Sequence, residues 1–251
     1  MSRPVALVTG VGRRAGIGAS IAVALAADGW DVATSHWGAY DERMPWGSDP
    51  DLGEVHAEIA DQGARAISIE ANLEDPEVPV RLIDDVEADL GAVTALVLSH
   101  AESVDSSIRD TTVESFDRHF AVNARASWLL IKEFANRFPG PHGAGRIVAL
   151  TSDHTAHNLP YGASKGALDR IVIAAARELS DLGVSCNVVN PGPIDTGWMT
   201  PDVVDAITGA TPLGRLGTGR DIAHVVAFLC SPDGGWVNGQ LIHANGGFAG
   251  I

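Results

Sequence analysis

The stretch "TGVGRRAGIG", Thr9 to Gly18, decides how the whole chain is read. It follows the apolar run "VALV" and leads into "ASIAVALAADG", which reads as a helix. A glycine turn between a first strand and a helix lets backbone N–H groups approach a pyrophosphate. The helix N-terminus adds a favourable partial positive charge. Gly10, Gly12, Gly16 and Gly18 supply the freedom, with Ile17 among them. Such turns also occur in plain loops, so the flanking strand and helix are what point to a dinucleotide.

Outward from this turn, runs rich in valine, isoleucine and leucine recur at 5–9, 31–35, 65–70, 94–99, 146–151, 184–190 and 240–244. They are mostly continuous rather than alternating, as in strands covered on both faces, and helical stretches separate them. Right-handed βαβ units then build a doubly wound α/β fold with a parallel sheet. Asp28-Gly29, Asp61 to Gly63 and Asp181 to Gly183 mark helix ends. No linker divides the 251 residues, so 1–251 reads as a single domain. Two long segments, "HWGAYDERMPWGSDPDLG" and "GWMTPDVVDAITGATPLGRLG", follow the second and sixth strands, where such sheets open onto ligands.

Composition excludes several classes. With 17 basic against 32 acidic residues the net charge is −15, which repels nucleic-acid phosphates. The N-terminus enters a strand-length run without a signal-peptide core, and no apolar stretch is long enough to span a membrane. A soluble, cytoplasmic protein is expected. Cys186 and Cys230 lie in apolar segments and read as buried thiols. His154 and His157 lack the partners of a metal site, so no metal is expected.

An NAD site usually has a carboxylate after the second strand to hold the ribose 2′-hydroxyl. Here the sequence reads "DVATSHW", placing Ser35, His36 and Trp37 there. Arg13 and Arg14 in the turn can instead pair with a 2′-phosphate, which favours NADP(H) and leaves NAD(H) as the alternative. The competing reading sends one or both arginines into solvent.

"YGASKGALDRIVIAAARELSDLG" reads as one helix carrying Tyr161 and Lys165 four apart, on the same face. A tyrosine of ordinary pKa is a poor base near neutrality, and a neighbouring ammonium stabilises its phenolate. Lowering that pKa by about three units takes about 4 kcal/mol, which the lysine and an oxidised nicotinamide together can supply. The strand "RIVALT" delivers Ser152 at its C-terminal end, where its hydroxyl can bond a substrate carbonyl.

In these motifs the chain resembles the short-chain dehydrogenase/reductase family. The match runs through "TGVGRRAGIG", Val122-Asn123, Thr151-Ser152, "YGASK", "NPGPIDT" and the tail "PLGRLGTGRDIAHVVAFLCSPDGGWVNGQLIHANGG". The resemblance implies a Rossmann-like sheet of about seven strands, with Tyr161 as acid/base. It implies that Lys165 binds the nicotinamide ribose and tunes Tyr161, and that Ser152 orients the carbonyl. Asn123 is implied as a helix break holding a proton-relay water. Pro191, Gly192, Ile194 and Thr196 would border the nicotinamide, and Asn72, Leu73, Ser99 and Ala101 the rest of the cofactor. Reduction of a carbonyl, or oxidation of a secondary alcohol, follows, and the C-terminal half is most similar to 3-oxoacyl-carrier-protein reductases. A homotetramer or homodimer is also implied.

Four places depart from the family pattern. The glycine turn is two residues longer than TGxxxGxG, and "SHAE" (Ser99 to Glu102) stands where NNAG is typical. Asn72 replaces an aspartate that commonly meets the adenine amine. Ser152 and Tyr161 are only nine positions apart, so the loop between them is short. Trp198 and Met199 open a 197–217 segment that reads as a substrate lid. A second reading, motivated by "SHAE", is a non-catalytic nucleotide-sensing regulator with the same fold. Enoyl reduction is a weaker variant, because related enoyl reductases space tyrosine and lysine more widely.

Overall fold

The computed structural model describes residues 3–197 and 199–248. Seven parallel strands form one sheet in the order β3-β2-β1-β4-β5-β6-β7. They are β1 (Val5–Thr9), β2 (Asp31–His36), β3 (Ala66–Glu70), β4 (Val93–Leu98), β5 (Arg146–Leu150), β6 (Ser185–Asn190) and β7 (Leu241–His243). Each coincides with a predicted run to within two residues. The register pairs Val5 with Asp31 and Thr9 with Ser35, so the C-terminal ends of the central strands finish level.

Every residue of β1 is buried, and period-two alternation divides them between two cores. Val5 and Leu7 join Leu96, Leu130, Phe134, Ile147 and Val172 on one face. Ala6 and Val8 join Ile21, Leu25, Val97, Ile222 and Val226 on the other. Burying each such leucine or isoleucine stabilises the fold by about 1.5–3 kcal/mol. The first core is closed by α4 (Val78–Asp89), α6 (Ser127–Arg137) and α7 (Leu159–Glu178). The second is closed by α1 (Ile17–Ala27), α3 (Leu52–Asp61) and α9 (Gly219–Cys230). Gly29, Gly63 and Gly183, at the predicted helix ends, all have positive φ.

Three features were not foreseen. A short helix α2 (Gly38–Arg43) forms within the long segment after β2. The helix α5 (Val113–His119) runs into α6 through a π-helical stretch, Phe120–Ala126, which contains Asn123. Asn123 therefore lies in a continuous, widened helix rather than at a break. The segment after β6 forms α8 (Pro201–Ala210), none of whose residues is buried. It returns through a bridge between Ile194 and Gly217. Trp198 lies outside the described residues. Cys186 and Cys230 are buried free thiols, and no helix among the described residues is long and apolar enough to cross a membrane.

Candidate active site

Strand order reverses between β1 and β4, and a cleft of about 1190 Å³ opens at the C-terminal ends of the strands there. Every cofactor-binding residue expected from the sequence lines this cleft except Arg14. Gly10, Gly12, Arg13, Gly16, Ile17 and Gly18 form one end. His36, Trp37, Asn72 and Leu73 form the side beyond β2 and β3. Ser99, Ala101, Pro191, Gly192, Ile194 and Thr196 lead to Ser152, Tyr161 and Lys165.

The turn has the shape a pyrophosphate needs. Gly10 has φ +76°, and a Cβ there would lie 2.5 Å from the His100 backbone. At Gly18 a Cβ would lie 2.9 Å from the Gly10 carbonyl oxygen, so β1 and α1 can approach this closely only with glycine. Among the described residues no side chain caps the first amides of α1, which leaves those N–H groups for an anionic ligand. These residues fit a dinucleotide.

The two arginines part company. Arg13 faces the cleft, where its Nη1 donates to the Thr196 carbonyl at 2.9 Å. Arg14 points away, forming ion pairs with Glu54 and Glu58 of α3, and its N–H donates to Asp49 at 2.7 Å. Arg14 therefore does not line the cleft, and its guanidinium lies with the two carboxylates of α3. At Asn72, Oδ1 accepts from the Glu74 N–H at 3.1 Å, so the oxygen expected to meet an adenine amine already closes a turn.

Tyr161 and Lys165 lie in the first two turns of α7, and Ser152 follows β5. Lys165 is 2% exposed. Its Nζ donates to the Leu150 carbonyl at 2.9 Å and to the His100 carbonyl at 3.4 Å, and sits 5.8 Å from the Tyr161 ring centre. Burial pulls its pKa down to about 8, against a smaller upward pull from Asp169. Burial pushes Tyr161 up to about 12, with the bond to Ser152 pulling the other way. Among the protein's own groups, burial thus favours the phenol over the phenolate. Desolvation of a phenolate outweighs a lysine engaged by two carbonyls.

Asn123 does not line the cleft. It is fully buried behind it, where its Oδ1 accepts from the Glu102 N–H at 2.7 Å and its Nδ2 donates to Glu102 O and Ser164 Oγ, both at 2.9 Å. Its own carbonyl accepts from Ser127 Oγ at 2.9 Å. Asn123 thereby fixes the "SHAE" segment against α7. His100 of that segment supports the sheet. Its Nε2 lies 3.1 Å from the Val122 carbonyl, which can only accept, so Nε2 carries the proton and Nδ1 accepts from Thr9 Oγ1 at 2.6 Å. Burial, reinforced by Lys165, pulls its pKa to about 3.

The segment after β2 supplies residues that the sequence did not reveal as a group. Asp41 comes against the glycine turn, where a Cβ on Gly12 would lie 2.2 Å from its Oδ2. Trp46 Nε1 donates to Asp41 Oδ1 at 3.0 Å and its ring lies 4.2 Å from the Arg13 guanidinium. Arg43 pairs with buried Glu102 and stacks 5.1 Å from the ring centre of Tyr40. The aromatic-rich composition of 37–46 was the one signal available for this cover.

The chain as a whole has counterparts among known proteins. Residues 10–249 match the family model described as Enoyl-(Acyl carrier protein) reductase. The uncharacterized oxidoreductase YjdA of Bacillus subtilis (strain 168) is 34% identical over 97% of this chain and 96% of its own length. The NADPH-dependent aldehyde reductase-like protein of Arabidopsis thaliana chloroplasts is 37% identical over 97% and 93%. Among solved structures, the blue fluorescent protein from a metagenomic library, in complex with NADPH, superimposes with a TM-score of 0.86 at 33% identity, covering 99% of this chain and 98% of that one. With the family model matched over residues 10–249 and relatives more than 30% identical along nearly their whole length, this chain belongs to the short-chain dehydrogenase/reductase family.

Proposed function

We propose that the protein is an NADP(H)-dependent carbonyl reductase, catalysing the reverse oxidation of a secondary alcohol under the opposite cofactor poise. The observation that carries this reading is the Ser152, Tyr161 and Lys165 group at one end of a cleft whose other end is the glycine turn with Arg13. The NADPH dependence of the Arabidopsis relative and the NADPH held by the metagenomic protein support the choice of cofactor.

When bound between the glycine turn and Ser152, Tyr161 and Lys165, a dihydronicotinamide would supply a hydride for the carbonyl carbon. Tyr161 gives its phenolic proton to the carbonyl oxygen, which Ser152 Oγ–H orients by hydrogen bonding. A phenol held protonated suits this direction. Lys165 opposes the negative charge left on Tyr161, and Asn123 keeps the wall behind them in place. Arg13 holds the 2′-phosphate, and Arg14 has no part in it. The 197–217 segment, with Met199 and Ile207 on the cleft and α8 free of buried residues, serves as a lid that excludes water. The two buried free thiols suit a reducing compartment, and we place the enzyme in the cytoplasm. Two exposed apolar faces, described below, support a homo-oligomer.

The carbonyl class includes 3-oxoacyl thioesters. The test is NADPH consumption across a panel of aldehydes, ketones, 3-oxoacyl thioesters and enoyl thioesters, for wild type and Tyr161→Phe. Carbonyl turnover lost in the variant, with cofactor affinity kept, is the expected result. Turnover of enoyl thioesters alone, or tight cofactor binding without any turnover, would overturn it in favour of enoyl reduction or of a nucleotide sensor.

A further inference from the structure

In the sheet, β1 lies between β2 and β4, so a contact from the segment after β2 to the segment after β4 spans the C-terminal end of β1. The ion pair of Arg43, on α2, with Glu102, in the "SHAE" segment, is such a contact. Both residues line the cleft. The pair therefore bridges the cleft beside the glycine turn, on the path of a dinucleotide laid across the strand ends.

This bridge is the far end of an unbroken run of side-chain contacts. Trp46 lies on the Arg13 guanidinium and donates to Asp41, which rests against Gly12. The Tyr40 ring centre is 6.3 Å from that of Trp46, and Arg43 stacks on Tyr40. Residues 37–46 are thus anchored on the glycine turn at one end and on Glu102 at the other. None of them belongs to either core, and Asp41 is the one buried residue of α2. A segment with so few buried apolar contacts can open while the body stays folded.

Glu102 gives the bridge a firm seat. It is 2% exposed, and both its N–H and its carbonyl are bonded to the Asn123 side chain. Its Oε2 accepts from Arg43, whose side chain is 37% exposed. Burial raises the Glu102 pKa; Arg43 and then Arg118 oppose that rise, and Glu74 adds to it. Opening the bridge leaves a buried carboxylate without its nearest cation, which draws the segment back.

Resting on the NADP(H) reading, we propose that residues 37–46 form a strap over the dinucleotide, latched by Arg43 and Glu102. The cofactor enters and leaves only when this pair opens. The strap is shut with and without cofactor, so the pair sets the rate of exchange rather than the affinity.

Stopped-flow fluorescence of NADPH on the full chain reads both rates, association on mixing and dissociation on chasing the complex with excess NADP⁺. Arg43→Gln and Glu102→Gln are each expected to raise both rate constants about fivefold or more and to leave Kd within about threefold. The double variant is expected to be no faster than the faster single one, since both open one latch. Arg14→Ala, which removes a cation from the outer face of the turn, keeps wild-type rates. Thermal melting shows which variants fold, and either single variant decides the matter if the other does not. A rise in dissociation alone would make Arg43 an ordinary cofactor contact, and a rise in association alone would make the pair a competitor for the cofactor's place. Either result, unchanged rates in both variants, or an equal rise in Arg14→Ala would overturn the strap and leave the NADP(H) reading standing. Failure of the wild type to bind NADPH would overturn that reading and the strap with it.

Discussion

Arg13 spans the cleft to Thr196, with its Nη1 2.9 Å from the Thr196 carbonyl oxygen. This bond links the glycine turn after β1 to the loop after β6, the two edges between which a dinucleotide would lie. The next residue, Arg14, is bound to α3 on the outer surface. The two extra residues of the turn thus send two adjacent guanidinium groups to opposite sides of the loop.

The cofactor assignment therefore separates the two positions. Arg13→Ala is expected to raise the KM for NADPH about tenfold or more and to leave that for NADH nearly unchanged, because a charge-assisted pair to the 2′-phosphate is lost. Arg14→Ala removes exposed ion pairs worth about 0–1 kcal/mol and leaves both KM values within about twofold. Initial-rate kinetics with the two cofactors decide it. A matched loss of NADPH and NADH affinity in Arg13→Ala would show that the arginine positions the turn without reading the phosphate.

Reduction should depend on pH through Lys165 rather than Tyr161. With Tyr161 near 12 and Lys165 near 8 in the free enzyme, the phenol stays protonated across the neutral range while the lysine loses its charge above about pH 8. The kcat/KM for carbonyl reduction is expected to hold level below that value and to fall above it, since the profile of kcat/KM reports the free enzyme. Tyr161→Phe should lower kcat by about 10²–10⁴-fold. Ser152→Ala should lower it by about 10²–10³-fold. A profile that rises steadily with pH would instead indicate Tyr161 acting as a phenolate base.

Much of this was legible in the chain because the determining signals are local. The run "VALVTG" and the glycines after it specify strand, turn and helix within a few residues, and Tyr161 and Lys165 sit on one helix face by period alone. What escaped depends on contacts between distant segments. No spacing rule shows that Glu54 and Glu58 capture Arg14, since they lie forty or more positions away. The upward pull on the Tyr161 pKa comes from burial in the assembled cleft, which the isolated "YGASK" does not carry. Asn123 suggested a break by resemblance, but bonds to Glu102 and Ser164 hold it inside a π-helical stretch.

His100 makes the fold sensitive to acid. Its pKa is near 3 when folded and about 6.5 in an unfolded chain. A depressed pKa gives stability that is fully present above about pH 6.5 and is lost as pH falls toward 3. The slope is at most about 1.4 kcal/mol per pH unit from this one group. His100→Asn, which keeps hydrogen-bonding groups but cannot titrate, is expected to be less stable at pH 7 and to lose less on acidification. Urea unfolding at neutral and mildly acidic pH measures both, and identical acid slopes for the two proteins would remove His100 from the account.

The surface carries two apolar faces on opposite sides of the sheet. Val113, Phe116 and Trp128 are exposed along α5 and α6, the layer whose inner side holds Leu130 and Phe134. Phe228 of α9, with Trp236 at 98% exposure and Leu241 of β7, belongs to the other layer and the sheet edge. Large apolar side chains exposed in groups mark contact surfaces, and two self-complementary faces generate a tetramer through two different twofold axes. Sedimentation velocity of the wild type is expected to give a tetramer. Phe116→Lys combined with Trp128→Glu should yield dimers held by the second face, and Phe228→Glu combined with Trp236→Lys should yield dimers held by the first. The four substitutions together should give a folded monomer, because none of these side chains contributes to either core. A wild-type monomer at micromolar concentration would leave both faces without a partner copy of this chain.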